Sequence, residues 1–306
     1  MKIIVTGSLG HIGRPLTKEL VQKGHAVTVI SSKPEKQKDI EELGATAAIG
    51  SIEDVGFLTA AFTGADAVYT MVPPPTHFSG TNPDVMAHCR LIGNNFAQAI
   101  SDSGVKRAVH LSSIGAHLEK GSGLILLHHA MEEILNRLSG VDITFMRPTA
   151  FYYNLLSFIP VIKNTGMITS NYGGTDHVAW VSPIDIAAAI ADEIVTPLVQ
   201  KGSIRTGRKV RYVASEELSC NEVAGILGAA IGKPDLKWTV ISNEQMQSRL
   251  ESVGVPAQIA AGLVEMQDCM HNGPFFDDYY QNRPQIMGKV KLADYAKEFA
   301  AVLNQK

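Results

Sequence analysis

The sequence lacks the features that mark several large classes of protein. It has only three cysteines, Cys89, Cys220 and Cys269, and none has the spacing of a metal-binding or redox motif. Isolated thiols are typical of a reducing compartment, where they pack in the core. No apolar run approaches the roughly 20 residues that a membrane span needs, and no signal peptide precedes the first apolar segment. We therefore expect a cytoplasmic protein with no membrane partner.

Charge of a single sign is also missing. Lysine and arginine number 27 against 30 acidic residues, which gives a formal net charge of −3. Because no basic cluster is present, we expect no nucleic-acid partner. Nothing resembles a metal site, a nucleophile elbow or paired carboxylates, so we expect no metal. At 306 residues and 45% hydrophobic content, the chain can form one large globular domain or two smaller ones.

The residues at the amino end predict a nucleotide-binding loop. A short apolar strand, Lys2 to Val5, leads into TGSLGHIG, whose glycines are spaced three apart. Gly7 lets the chain turn off the strand, Gly10 lets backbone approach a pyrophosphate, and Gly13 lets the next helix lie close to the sheet. The phosphates then meet the amino end of that helix. The alternative is an ordinary glycine-rich turn. The predicted contacts are Thr6, Gly7, Ser8, Leu9, Gly10, His11, Ile12 and Gly13.

The end of the second predicted strand, Ala26 to Ile30, bears on the choice between NAD and NADP. In NAD-binding folds an acid about 20 residues after the glycines binds the ribose 2′-hydroxyl. Here Ser31, Ser32 and Lys33 occupy that place. Two hydroxyls and a cation can bind a 2′-phosphate, which a carboxylate would repel, so we favour NADP over NAD, with Arg14 assisting. The alternative is a solvated loop whose lysines face water.

A regular alternation of strands and helices follows, which predicts a Rossmann-type, doubly wound parallel sheet of the α/β class. Helices are predicted over 34–43, 84–103 and 124–138, and strands over 45–49, 65–72, 107–112 and 142–146. A further helix is expected to begin at Ser51, which is followed by an acid three residues later. Ligands bind at the carboxyl ends of such strands. Candidate cofactor contacts there are Ser51, Ile52, Met71, Val72, Pro73, Ser112 and Pro148.

Beyond residue 150 the alternation weakens. We expect residues 1–150 to form the NAD(P)-binding domain and residues 151–306 a smaller α/β substrate-binding lobe, partly interleaved with the sheet. Three helices of the second part open with serine and, three residues later, an acid or glutamine, at Ser182, Ser219 and Ser242.

In this order the motifs resemble the NmrA-like branch of the atypical short-chain dehydrogenases/reductases. The loop at 6–13, GVKRAVHLSSIGA at 104–116 and DITFMRP at 142–148 are similar to that family's cofactor loop, fifth strand and Arg-Pro loop. The likeness runs over nearly the whole chain. The family includes quinone reductases, triphenylmethane-dye reductases and proteins that bind NADP without known turnover.

The resemblance implies a role for His128. Ordinary short-chain dehydrogenases use a Tyr-x-x-x-Lys pair, in which the tyrosine donates a proton and the lysine holds the nicotinamide ribose. The matching helix here has Leu124 and His128, so the tyrosine is absent. His128 stands where other members carry lysine or histidine, which implies a ribose contact. The alternative is a half-buried histidine paired with Glu132 or His129.

His128 and Ser112 are the candidate catalytic residues. Ser112 is interpreted either as a polar contact to nicotinamide or substrate, or as a cap at the strand end. Tyr152 and Tyr153 could stand over the nicotinamide, but aromatic filling between the lobes is favoured. The remaining histidines considered are His110, expected in the core, and His77, His117 and His177, expected in loops.

Two functions of different classes are compatible with these features. The first is an NAD(P)H-dependent reductase of a small organic acceptor, such as a quinone or a carbonyl compound, by hydride transfer; a soft acceptor takes its proton from water. The alternative is an NADP-binding redox sensor that acts on a protein partner without turnover. A complete second lobe favours the reductase. A homodimer is compatible with both, and an epimerase is disfavoured because that chemistry depends on the missing tyrosine.

Overall fold

The computed structural model describes residues 1–74, 84–197, 199–200, 203–204 and 207–305. The described strands are β1 Lys2–Val5, β2 Ala26–Ser31, β3 Thr46–Ile49, β4 Ala67–Met71, β5 Arg107–Leu111, β6 Asp142–Pro148, β7 Ala150–Phe151, β8 Ile168–Ser170, β9 His177–Val181, β10 Val199–Gln200, β11 Ser203–Ile204, β12 Arg208–Val213, β13 Glu216–Ser219 and β14 Trp238–Val240. The described α-helices are α1 Gly13–Gln22, α2 Gln37–Glu41, α3 Val55–Phe62, α4 Val85–Ser103, α5 Leu126–Asn136, α6 Ile159–Thr165, α7 Pro183–Val195, α8 Cys220–Ala230, α9 Asn243–Ser252, α10 Ala257–Asn272, α11 Asp277–Gln281 and α12 Leu292–Asn304. Short 3₁₀ helices span Pro34–Lys36, Gly123–Ile125 and Tyr152–Phe158.

Within the described residues, seven strands form the central sheet in the order β12-β6-β5-β4-β1-β2-β3. All neighbours from β3 through β6 pair in parallel. The direction of winding reverses at β1, which pairs with β2 on one side and with β4 on the other. In open α/β sheets, ligands bind outside the carboxyl ends of the strands at such a reversal. The predicted Rossmann-type fold is confirmed, and it places the carboxyl end of β1 at the crevice.

The central strands are apolar because both faces of the sheet are covered. Ile3, Ile4 and Val5 of β1 are buried, and so is every residue of β5 and β6. Parallel strands connected by helices are covered on both sides, which requires continuous rather than alternating apolar runs.

The chain divides into two compact units. Unit 1 comprises Met1–Ala116, Leu127–Arg147 and Ile186–Arg211. Unit 2 comprises His117–Leu126, Pro148–Asp185 and Tyr212–Lys306. Unit 2 contains two of the smaller sheets, with strand orders β13-β9-β7 and β14-β8. A substrate-binding role for residues 151–306 stays a prediction.

Side-chain caps define the starts of several helices. The boxes predicted at Ser219 and Ser242 are confirmed, since each serine accepts a hydrogen bond from the third residue of its helix, whose side chain accepts one in return. The start predicted at Ser51 is wrong. Asp54 Oδ1 caps α3 by accepting from Phe57 N at 3.0 Å, whereas Ser51 Oγ accepts from Glu53 N at 3.1 Å and closes a turn ahead of the helix.

The helix predicted over 34–43 opens as a 3₁₀ turn, and the one predicted over 124–138 does the same before α5. Every helix within the described ranges is too short or too polar to cross a membrane.

Candidate functional site

The glycine loop leaves β1 where the winding of the sheet reverses. Gly7 and Ser8 both adopt left-handed backbone conformations, with φ of 86° and 58°, so Gly7 makes the turn predicted for it. Thr6 N donates to Tyr69 O on β4 at 3.1 Å, and Ser8 N donates to Ile30 O on β2 at 3.0 Å. These bonds hold the loop over the carboxyl ends of three neighbouring strands.

Gly13 and Gly10 have opposite surroundings. A Cβ on Gly13 would lie 2.1 Å from the carbonyl oxygen of Ser8, so only glycine fits there. We predicted that Gly13 lets the next helix lie close to the sheet. The structure differs, because the group that approaches Gly13 is the backbone of its own loop. A Cβ on Gly10 would meet only Gly7 O, at 3.9 Å, which is an ordinary contact. Gly10 is exposed, and its contact with a pyrophosphate stays a prediction.

The first turn of α1 is suited to bind an anion. Ile12 at the N-cap offers no side-chain acceptor to the helix, and the first turn carries no acidic residue. The N–H groups of a first turn have no partners within their helix and form the positive end of its dipole. Leu9, which is half-buried, and His11, which is exposed, precede this turn. Arg14 N already donates to Gly10 O at 3.1 Å, and Pro15, the third residue of the helix, has no N–H. What this turn can offer a phosphate is therefore the N–H of Gly13 and the positive end of the helix dipole.

Ser31, Ser32 and Lys33 divide into two roles at the end of β2. Ser31 is 2% exposed. Its hydroxyl accepts from Ser8 Oγ at 3.0 Å and from Lys33 N at 3.2 Å, so Ser31 braces the glycine loop. Ser32 and Lys33 are exposed and are the candidates for contact with a 2′-phosphate.

Arg14 lies in a small cluster of opposite charges. Its Nη2 is 3.6 Å from Asp39 Oδ2, and Lys36 Nζ is 3.0 Å from the same oxygen. The hydrogen bond and charge of Lys36 hold the pKa of Asp39 below its usual value. Two cations around one carboxylate leave this corner positive, which favours a phosphate.

The carboxyl ends of β3 and β4 carry the other predicted adenosine contacts. Ser51 is exposed, and Ile52 is half-buried in a turn that Asn95 holds by donating from Nδ2 to Ile52 O at 3.3 Å. Met71 lies against the glycine loop, since a Cβ on Gly7 would be 2.8 Å from Met71 Sδ. The next two residues are Val72, which is buried, and Pro73, which is half-buried. The loop position predicted for His77 falls outside the described residues.

His128 and His110 are neutral imidazoles within unit 1. His128 Nδ1 is shielded from solvent and has no hydrogen-bond partner among the described residues, and burial lowers the pKa of His128 to about 4. His110 is fully buried in β5, as predicted, with Nδ1 2.9 Å from Thr70 Oγ1. Burial, with a smaller contribution from His128, lowers the pKa of His110 to about 3. Neither side chain is charged at neutral pH.

Ser112, Glu132 and Arg147 form a buried network that we call the Glu132 clamp. Ser112 Oγ donates to Glu132 Oε1 at 2.5 Å. Arg147 donates from Nε to Oε1 at 2.9 Å and from Nη2 to Oε2 at 2.7 Å. The pairing of His128 with Glu132 or His129, considered above as an alternative, is therefore wrong. Glu132 is held by the clamp, and His129 Nδ1 lies 3.0 Å from the carbonyl oxygen of Ala116.

The nicotinamide contacts predicted for Ser112 and Pro148 stay predictions. The proton of the Ser112 hydroxyl goes to Glu132, so Ser112 can only accept a hydrogen bond from a ligand. Pro148 is buried at the end of β6.

Tyr152 is fully buried in unit 2. Its hydroxyl donates to Glu216 Oε1 at 2.5 Å and lies 3.2 Å from Val290 O, and its ring stacks on Tyr295 with 5.6 Å between centroids. Tyr152 therefore fills space inside unit 2, which differs from the predicted filling between lobes. Tyr153 is half-buried, and burial raises its pKa to about 12. Of the histidines predicted in loops, His117 is half-buried and His177 is instead the first residue of β9.

A protein-family model described as NAD(P)H-binding matches residues 7–197, from the glycine loop past the end of α7. The chain belongs to this family. Two curated relatives of this NAD(P)H-binding chain are reductases by name. It is 26% identical to the NAD(P)H azoreductase of Xenophilus azovorans over 98% of each chain. It is 28% identical to the (4-alkanoyl-5-oxo-2,5-dihydrofuran-3-yl)methyl phosphate reductase of Streptomyces griseus over 76% of this chain and 74% of that one.

Solved structures share the fold. An NADPH-dependent quinone oxidoreductase from Escherichia coli, in complex with NADPH, has a TM-score of 0.78 at 22% identity, covering 97% of this chain and 99% of that one. The triphenylmethane reductase of Citrobacter sp., in complex with NADP(H), has a TM-score of 0.73 at 20% identity, covering 98% and 100%. The predicted NAD(P)-binding class is thereby confirmed, and relatives and solved structures named as reductases fit the resemblance to the NmrA-like branch.

Two residues of the site carry little signal in the sequence. Thr70 lies within an apolar strand, and its bond to His110 joins residues 40 positions apart. Glu132 lies one turn after His128, on a helix whose neighbouring positions are mostly apolar. An acid one turn after His128, together with the arginine of the Arg-Pro motif, is the signal that could have identified the clamp.

Proposed function

We propose that the chain is an NADPH-dependent reductase of a small organic acceptor, such as a quinone or a carbonyl compound. The observation that carries the proposal is the shape of the glycine loop. The backbone of Ser8 leaves no room for a side chain at Gly13, whereas the space around Gly10, ahead of the first turn of α1, is open. That arrangement fits the pyrophosphate of a dinucleotide. The nicotinamide supplies the hydride chemistry, and the protein binds and orients it.

The proposed preference for NADPH over NADH rests on charge. Ser32 and Lys33 are exposed at the end of β2, and Arg14 carries a second cation close to Lys36 and Asp39. No acidic residue occupies the two positions that follow Ser31. A 2′-phosphate would therefore meet hydroxyls and cations, which form charge-assisted hydrogen bonds.

His128 is proposed to hold the nicotinamide ribose. With a pKa of about 4 it is a neutral imidazole at pH 7, able to donate one hydrogen bond or accept one from a hydroxyl. An uncharged imidazole has no acidic proton of the kind that a general acid transfers near neutrality. The low pKa therefore favours a binding role for His128 over a proton-donating one.

The acceptor class follows from the missing tyrosine. Leu124 takes that position and packs within unit 2, where a Cβ on Gly262 would lie 2.8 Å from Leu124 Cδ2. A ketone reduced to an alkoxide needs a nearby proton donor, whereas a reduced quinone is a stabilised anion that water can protonate. Relatives named for quinone and azo reduction are consistent with soft acceptors of this kind.

The test is the oxidation of NADPH, followed by absorbance, against a panel of quinones, azo dyes and aldehydes. Turnover on a quinone or azo dye, lost on Gly10→Val, is the expected result. Tight NADPH binding without turnover on any acceptor would instead support the NADP-dependent sensor, the function that the absent tyrosine favours.

A further inference from the structure

The Glu132 clamp joins three elements at one end of the sheet. Ser112 directly follows β5, Arg147 is the penultimate residue of β6, and Glu132 lies on α5. Their exposed fractions are 2%, 6% and 6%. The carboxylate accepts three hydrogen bonds, two of them from a planar guanidinium, so its orientation is fixed in two directions.

A second buried ion pair lies on the same two strands and can be compared with the clamp. Arg107 begins β5 and Asp142 begins β6, with Nη2 and Oδ2 3.6 Å apart and both side chains 3% exposed. That pair lies at the amino ends of the strands, away from the ligand crevice of an open α/β sheet. The clamp alone of these two pairs reaches α5.

Glu132 and His128 are one helical turn apart on α5, so they project from the same side of that helix. A side chain fixed at Glu132 therefore adds a directional restraint on the rotation of α5 at His128, beyond the packing of the buried apolar residues of the helix. The clamp is formally neutral, because one carboxylate faces one guanidinium. It can hold the helix without placing a net charge beside the histidine.

We propose that Ser112 and Arg147 are positioning residues, which act through Glu132 to hold His128 in the orientation that binds the nicotinamide ribose. This rests on the proposed function. In this proposal Ser112 supports α5, and so does Arg147, the arginine of the Arg-Pro motif. Neither residue then needs to touch the substrate.

The first test compares NADPH affinity in a neutral double variant, Glu132→Gln/Arg147→Gln. Removing both charges avoids a buried unpaired ion, which would unfold the chain for unrelated reasons. The two amides keep polarity but lose the bidentate geometry. We expect the Kd for NADPH to rise about fivefold, as for loss of one uncharged hydrogen bond, with a smaller change in kcat at saturating NADPH.

Ser112→Ala is the milder second variant, since it removes one bond of the clamp and leaves the ion pair intact. It should change the Kd in the same direction by a smaller factor. The matched control is Arg107→Gln/Asp142→Asn, which removes the other buried pair from the same strands. The control should lower stability while leaving the Kd for NADPH unchanged.

A double-mutant cycle separates positioning from general destabilisation. If the clamp acts through His128, adding Glu132→Gln/Arg147→Gln to His128→Ala changes the Kd no further. Additive effects would overturn the proposal, and so would an unchanged Kd in the clamp variant. If His128→Ala alone leaves the Kd for NADPH unchanged, the proposed ribose contact of His128 is wrong, and the clamp proposal is not the part that has failed.

Hydrogen exchange of the α5 backbone amides, measured without nucleotide, then tests the clamp independently of binding. The expected result is faster exchange over α5 in the clamp variant and not in the control. Equal exchange in both would overturn the proposal.

Discussion

Lys33 is the residue on which the proposed preference for NADP depends most. A charge-assisted hydrogen bond to a phosphate contributes roughly 1.5–3 kcal/mol. We therefore expect Lys33→Ala to weaken NADP binding about tenfold or more and to leave NAD binding nearly unchanged, measured by titration calorimetry. Lys38→Ala is the matched control, since Lys38 is exposed and lies 3.8 Å from Glu42. Equal losses for both cofactors would contradict the prediction.

His128→Ala should raise the Kd for NADPH several-fold and lower turnover only modestly. Loss of an uncharged hydrogen bond costs about 1 kcal/mol, whereas loss of a general acid typically lowers the rate by a factor of 10² to 10⁴. Stopped-flow binding and steady-state kinetics at saturating NADPH distinguish these results. A decrease in turnover beyond about a hundredfold would identify His128 as the acid. His129→Ala, on the adjacent position of α5, provides the control.

Residues that act through a neighbour in sequence were predictable, and those that act through a distant partner were not. The exposure of Ser32 and Lys33 follows from their place after a strand. The burial of Ser31 depends on Ser8, 23 positions away, which closes over its hydroxyl. The Glu132 clamp depends in the same way on chain segments that meet only in the folded sheet.

At the scale of elements, the glycine loop predicts two different outcomes for two small substitutions. Gly10→Val should abolish NADP binding while the circular dichroism spectrum is retained, because the space around Gly10 is open in the protein itself. Gly13→Ala should distort the loop and lower stability, because the added Cβ would lie 2.1 Å from Ser8 O. A folded Gly10→Val variant with unchanged affinity would refute the site.

Elements whose signals are local were predicted well. The boxes at Ser219 and Ser242 lie within four residues of chain, and both helices begin there. Ser51 shows the limit of such patterns, because two groups three residues apart can each cap a helix and Asp54 is the one that caps α3. The short strands β7, β8 and β14 carry little signal, since each of two or three residues is stabilised by a partner far along the chain.

At the scale of the whole molecule, the buried histidine of β5 predicts sensitivity to acid. The pKa of His110 is about 3 in the folded chain and about 6.5 in an unfolded one. Between these values the unfolded state binds more protons, so stability is complete above about pH 6.5 and falls as the pH is lowered. At pH 5 the loss attributable to His110 is about 2 kcal/mol.

Urea unfolding at about pH 7.5 and pH 5 measures this difference. The free energy of unfolding should fall by about 2 kcal/mol more in the wild type than in His110→Gln, in which the titrating group is absent. Equal losses in the two proteins would show that His110 is protonated in the folded state.

The order of segments in unit 1 affects how the protein is made. The chain passes between the two units five times, and unit 1 is completed only by Ile186–Arg211. This last segment includes α7, where the carbonyl of Ile194 accepts from Arg107 Nη1 at 2.7 Å and Glu193 Oε1 accepts from Thr144 Oγ1 at 2.9 Å. At about 5–20 residues per second, a ribosome needs roughly 3–13 s to extend the chain from residue 147 to residue 211. During that interval β5 and β6 lack the hydrogen bonds that α7 supplies to Arg107 and Thr144, so we expect unit 1 to complete its packing only after residue 211 has been made.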